Sequence, residues 1–389
     1  MTFAQKWRGT TVFLGCGFAA KYLHGGGNFS VPLQWVKGLV RLGLDALWLE
    51  LMPATVNARS DLEHIRAFEQ RLREHDLAGR YCLLYQRPAQ EIHELEKMEC
   101  YGISCRELTH RLAGPSILLN LCYSIHPPLI YHFERRIYCD LDPGEMAYWM
   151  CRMEMGQSYH HEFWTLGLNI HAPDCRIFKT PVSWKTFYPL VDTELIQPKP
   201  RPLRIRFTTI GQWYWAQGIE IDGEYPDLSK KARFEKYMTL PSCMPEVEME
   251  LAMNLNADDP EIQRIQSFGW KLAVPHQIAD SPKAYRKYIA GSSAEFTTCK
   301  GTYVCWRTGW LSDRSATYLA MGRPVITEDT GAQPYLPQDS GFLWMSNLEE
   351  AVDAIHWVTR NWEALSIQAR RCAIEVFDSA KNLKKILGS

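Results

Sequence analysis

Short apolar runs alternate with segments of helical period along most of this chain. Residues 10–17 (TTVFLGCG) read as a strand running into glycines, and residues 45–51 (DALWLEL) as the next strand. Between them, residues 32–42 carry Leu33, Val36, Leu39 and Val40 at helical spacing, so the periodic helix is expected to begin near Ser30. Residues 57–80 form a charged periodic helix whose charges suit a solvated face, and residues 81–86 a short strand. Residues 92–101 are polar with scattered apolar positions. Residues 104–112 read as a helix, 116–122 (SILLNLC) as a buried strand and 135–144 as a strand ending in a turn. Residues 146–161 read as a helix, 163–170 as a strand, and 178–189 as a strand and turn. Strands apolar on both faces need helices on both sides, which predicts a mostly parallel α/β sheet.

Residues 197–202 (QPKPRP) interrupt this rhythm with three prolines, an extended and semi-rigid linker. The alternation then restarts with strand 203–210 and its loop Gly211-Gln212-Trp213-Tyr214-Trp215. Residues 227–238 read as a basic helix with Lys230, Lys231, Arg233 and Lys236 on a solvated face, broken by Pro241 and Pro245. Strand 246–254, helix 259–268, strand 270–274, helix 281–289 and strand 295–299 follow, with Lys300 just past the last. Strand 342–344 and helices 347–358, 362–377 and 379–387 close the chain. The divisions expected are residues 1–198, 199–365 and 366–389.

The chemistry concentrates in residues 309–331 (GWLSDRSATYLAMGRPVITEDTG). Ser312 can cap a helix, Asp313 suits the first turn, and Gly322 ends it. Free amides, the Ser312 and Ser315 hydroxyls and the Arg314 guanidinium could converge on an anion such as a diphosphate. An ordinary capped helix is the plainer alternative.

This block resembles the donor-binding half of GT-B glycosyltransferases, in the run Tyr318 to Val325 (YLAMGRPV) and in Asp329-Thr330-Gly331. The glycine loop His24-Gly25-Gly26-Gly27-Asn28 after the first strand is similar to the acceptor loop of that fold. The resemblance implies an α/β protein with two Rossmann-like domains facing a cleft and a last helix crossing back to the first domain. It implies transfer of a sugar, a hexose for preference, from a nucleotide sugar such as a UDP-sugar. Lys300, Ser312, Arg314 and Ser315 would hold the diphosphate without a metal. Gly211, Gln212, Glu295, Thr297, Glu328, Asp329 and Thr330 would face the nucleoside or donor sugar. His24 or Asp142 would be the base. The paired Glu residues of many retaining members are absent, since Gly309 and Thr317 stand there. A non-catalytic binding protein on the same scaffold therefore stays open.

Other motifs compete. Gly15-x-Gly17-x-x-Ala20 fits a dinucleotide fingerprint, but His24 to Asn28 intervene before the helix and Glu50 comes late for a ribose acid. Asp140-x-Asp142 could hold a metal, face the cleft, or close a strand-end turn at Pro143. His160, His161 and His171 suggest a metal only weakly, because adjacent side chains diverge. Net charge is −1, which argues against nucleic acid as the main partner. The acceptor is left as a small molecule, lipid or protein. Twelve Cys without C-x-x-C spacing are expected as reduced thiols in a cytoplasmic protein, with Cys105, Cys122 and Cys299 as core residues. No signal peptide or transmembrane run is expected.

Overall fold

The computed structural model describes residues 3–22, 24–86, 94–215 and 218–388. The first sheet is built from Thr11–Cys16 (β1), Asp45–Pro53 (β2), Tyr81–Gln86 (β3), Glu99–Gly102 (β4), Ser116–Leu121 (β5), Arg135–Asp140 (β6), Glu162–Thr165 (β7) and Trp184–Thr186 (β8). Its order is β4-β3-β2-β1-β5-β6-β7-β8, and every pairing is parallel except β3 with β4. β1 and β5 are buried at every position, which explains their unbroken apolar character.

The second sheet holds Arg206–Gln212 (β9), Glu248–Asn254 (β10), Lys271–Leu272 (β11), Ala294–Phe296 (β12), Val325–Glu328 (β13) and Phe342–Met345 (β14). Its order is β11-β10-β9-β12-β13-β14, all parallel. In each sheet the strand order reverses beside the first strand, β1 or β9. Such a switch point leaves a crevice outside the carboxyl ends of the strands.

The chain crosses between the halves twice, at the proline linker and near Phe377–Ser379. There the Phe377 carbonyl accepts from the Val191 amide at 2.9 Å, and the Ser379 amide donates to Val191 O at 2.9 Å. The last helix, Ser379–Gly388, buries Leu383, Ile386 and Leu387 in the first half's core. Arg41 clamps this crossing, donating to Asp192 and Asp378 at 3.0 Å each. Among the described residues no helix is long and apolar enough to cross a membrane.

Several elements differ from the sequence expectation. The helix expected from Ser30 begins at Gly26, because a turn from the Tyr22 carbonyl to the Gly25 amide ends the loop sooner. The helix expected over 146–161 spans only Glu145–Met150. Gln157 Nε2 donates to the Met150 and Met153 carbonyls, and Gly156 takes φ +101°, so the chain turns instead. β7 stops at Thr165, whose hydroxyl bonds Asp140 and accepts from the Gly167 amide. The basic helix shrinks to Lys230–Phe234 and a 3-10 turn at Glu235–Tyr237. Pro241 sits in the first turn of a short helix, Leu240–Cys243, where its missing N–H costs nothing. The helix Gly301–Cys305 was not anticipated. Nor was β4, whose stretch was read over 92–101; residues 92 and 93 lie outside the described residues. The cysteines are not all thiols, since Cys100 and Cys105 form a disulfide. This bond ties the end strand β4 to the helix Cys105–Leu112, and Cys105 is half-buried and not a core residue.

Candidate functional site

A cleft of about 650 Å³ opens where the two switch points face each other. His24, Gly25, Gly26, Gly27 and Asn28 line one wall, and Gly211, Gln212, Ser312 and Arg314 line the other. The glycine loop is fixed from below by Glu50, inside β2. Its Oε1 accepts from the amides of Ala19 and Ala20 at 2.8 Å each, and its Oε2 from Trp48 Nε1 at 2.9 Å. Burial pushes this carboxyl upward, and those donors only reduce the rise. Glu50 thus anchors the loop and presents no oxygen to a ribose.

The glycines are there for close approach. The Gly26 amide donates to Ala279 O at 2.7 Å, and a Cβ at Gly26 would press on the Ser281 carbonyl. Gly27 differs, since a Cβ there would meet the Tyr285 ring at 3.6 Å, an ordinary contact. His24 stands exposed at the rim, its ring centroid 5.9 Å from that of His276 on the other half.

The helix Asp313–Ala320 starts at the cleft, with Ser312 Oγ accepting from the Arg314 amide at 3.2 Å. Burial pushes the Asp313 carboxyl up to about 7. Arg314 is held in three directions. Its Nε donates to Glu295 Oε1 at 2.5 Å, its Nη1 to Ile210 O at 2.6 Å and its Nη2 to Thr297 Oγ1 at 3.1 Å. Ser315 Oγ donates to Glu295 Oε2 at 2.7 Å. Glu295 is wholly buried, so its charge needs these partners, and it does not face a nucleoside as expected. Thr297 is likewise buried under Arg314.

Lys230, expected on a solvated face, is buried beside Gly211, with Nζ 3.1 Å from Thr297 Oγ1. Burial, with Arg314 close by, pushes its ammonium down to about 7. No ion pair to Lys230 occurs among the described residues. Ser229 caps its helix and turns the first residue inward, which only the packing against β9 reveals.

Lys300 and Asp142 come together, but not as expected. Lys300 Nζ donates to Asp142 Oδ1 at 2.7 Å and lies 3.6 Å from Glu145 Oε2, with the Trp215 ring 3.5 Å away. Tyr303 also donates to Asp142. Burial alone would raise the Asp142 carboxyl, but Lys300 and Tyr303 outweigh it and hold it below the usual range. A carboxylate so held is a poor base, and Lys300 is spent on the flank of the cleft. Asp140 accepts from Thr165 and from the Asp142 amide, so this pair closes a strand end.

Glu328 is buried under Arg233, Lys236 and the Cys299 amide. Asp329 accepts from the Gly331 and Ala332 amides, and Thr330 donates to Trp310 O. These three shape the turn after β13 and stand apart from the residues that line the cleft. His160 bonds Asn120 and Gly156, His161 bonds Arg136, and His171 bonds Trp184. Among the described residues no three His, Cys, Asp or Glu are grouped to hold a metal ion. His64, not singled out in the sequence, also lines the cleft.

No protein-family model matches the sequence, and no curated protein does. Solved structures match over nearly the whole chain. An α-glucosyltransferase in complex with UDP and a 13-mer DNA is 9% identical with a TM-score of 0.59, covering 98% of this chain and 99% of that one. Anabaena HepE in complex with UDP-glucose is 12% identical with a TM-score of 0.55, covering 97% and 98%. Sucrose-phosphate synthase from Thermosynechococcus elongatus is 10% identical with a TM-score of 0.51, covering 98% of each chain. Such likeness establishes the fold. The chain has the GT-B fold, two Rossmann-like halves about a cleft with the last helix crossing back.

Proposed function

We propose that this protein is a glycosyltransferase that binds a nucleotide sugar, a UDP-hexose for preference, in the cleft. The observation that carries this reading is the charge balance at the switch point of the second sheet. Lys230 and Arg314 sit with the helix start at Ser312, and Glu295 is the one carboxylate paired with Arg314. Glu295 balances Arg314, and Lys230, its ammonium pushed down to about 7 by burial, takes on full charge when an anion sits beside it, which suits a diphosphate. In the transfer step the same groups stabilise the leaving diphosphate as its charge grows, a task that needs no metal. The structural neighbours that carry UDP or UDP-glucose support the choice of nucleotide.

Residues 199–365 would then be the donor half and residues 1–198 the acceptor half, with 366–389 closing back on the latter. Gly211 and Gln212 at the end of β9 would approach the donor, and Gly25 to Asn28 the acceptor. The acceptor is a small molecule, lipid or protein. Net charge of −1 gives no broad surface for nucleic acid, whatever the DNA-bound neighbour contacts.

A second reading, a binding protein without turnover, rests on the resemblance: Gly309 and Thr317 stand where many retaining GT-B glycosyltransferases carry paired glutamates. The experiment is titration with UDP, GDP and UDP-glucose in EDTA, followed by assay of UDP release. Binding with release supports the transferase, and binding without release supports the second reading.

A further inference from the structure

The transferase reading leaves open which group takes the proton of the acceptor. Asp142 is held by Lys300 and Tyr303, and His24 is exposed at the rim. His64, on the helix Ala58–Glu74, lines the same cleft and is half-buried. Its Nδ1 lies 3.1 Å from the Ala20 carbonyl oxygen. A carbonyl only accepts, so Nδ1 carries the hydrogen and the neutral ring has its lone pair on Nε2. Among the described residues Nε2 has no hydrogen-bond partner. The backbone leading to the Ala20 carbonyl is anchored, because Glu50 accepts from the amides of Ala19 and Ala20. A buried carboxylate thus fixes the loop, and the loop fixes the tautomer of a histidine in the cleft.

We propose that His64 is the catalytic base of the acceptor half, an assignment that rests on the transferase reading. Its Nε2 takes the proton of the acceptor hydroxyl as that oxygen bonds to the anomeric carbon. The bond from that carbon to the diphosphate oxygen breaks, and the nucleoside diphosphate leaves with the electron pair. Glu50 is a positioning residue for this base.

Water can stand for the unidentified acceptor, so UDP release from UDP-glucose reads the step. His64→Asn is the informative variant, since its side-chain amide can still donate to Ala20 O while Nε2 is lost. The rate should fall by about 10²–10⁴-fold, the usual worth of a positioned base, with UDP affinity unchanged within about twofold. His24→Asn should cost less. A His64→Asn rate within about threefold of the parent overturns the inference, as does an equal loss in His24→Asn. Binding of UDP-glucose with no release by the parent protein overturns it too, but leaves the donor site standing. Failure of UDP and UDP-glucose to bind removes the transferase reading and this inference together.

Discussion

Lys300 Nζ lies 2.7 Å from Asp142 Oδ1 and so joins the loop after β12 to the loop after β6, along one flank of the cleft. Both residues read from sequence as chemistry, yet their pairing is a strut between the halves. Glu145, almost wholly buried, completes it from the start of the helix Glu145–Met150.

Lys300→Met should therefore lower stability by about 1–4 kcal/mol, between the worth of exposed and buried pairs. The pH dependence has a definite sign. The folded Asp142 carboxyl lies below its ordinary value. Its contribution is present above about pH 4 and is lost as pH falls through the folded value. Denaturant unfolding between pH 3 and 7 should show this acid loss in the parent protein and less of it in Lys300→Met.

The Arg314–Glu295 pair makes a second test. Arg314→Ala leaves a wholly buried Glu295 carboxylate without its cation, which costs about 3–5 kcal/mol. Replacing both, Arg314→Met with Glu295→Gln, should recover most of that loss in urea unfolding. Loss of nucleotide affinity that persists in the restored double variant would then report phosphate binding by Arg314 and not collapse of the fold.

Lys230 links stability to ligand. With its ammonium pushed down to about 7 from 10.5, the unfolded chain binds the extra proton between those values. Stability should rise from pH 7 to 10 by on the order of 1–4 kcal/mol. Lys230→Met should abolish that rise, leave the unliganded protein at least as stable at pH 7, and weaken UDP by about 10–100-fold, the worth of one charge-assisted hydrogen bond. Calorimetry at pH 8 in buffers of different ionisation heat should show proton uptake when UDP binds, because a phosphate beside Lys230 favours the charged form.

Gly26 tests closure of the cleft. A methyl group there would press on the Ser281 carbonyl and come within 2.7 Å of Ala279 O. Gly26→Ala should break the contact between the glycine loop and the second half, which small-angle scattering would read as a larger radius of gyration. The fold should survive, since the helix Gly26–Arg41 keeps its core residues Phe29, Leu33, Trp35 and Val36.

The layout of the molecule was legible where side chains report their own surroundings. Runs such as residues 116–121 are buried on both faces, and the proline linker marks a real change of sheet. The helix start at Ser312 was read from local chemistry and the glycine loop from the resemblance, and both reach the cleft. What could not be read was partnership at long range. Glu295, Glu328 and Asp142 are carboxylates at strand ends, which is where ligands bind and equally where buried cations need countercharges. Only the approach of Arg314, Arg233 and Lys300 decides between the two. Lys230 is the converse case, a lysine in a basic run that packing turns inward. The disulfide escaped because Cys100 and Cys105 meet only when β4 folds back antiparallel on β3.

Lys230, Arg314 and the Ser312 helix start together would form the diphosphate site. Isothermal titration of the parent protein with UDP in EDTA at pH 7.5 tests it most directly, with Lys230→Met as the paired variant. Binding should be saturable and one-to-one, unaltered by EDTA and weakened about 10–100-fold by Lys230→Met. Absence of binding by UDP, or binding that Lys230→Met leaves untouched, would contradict it.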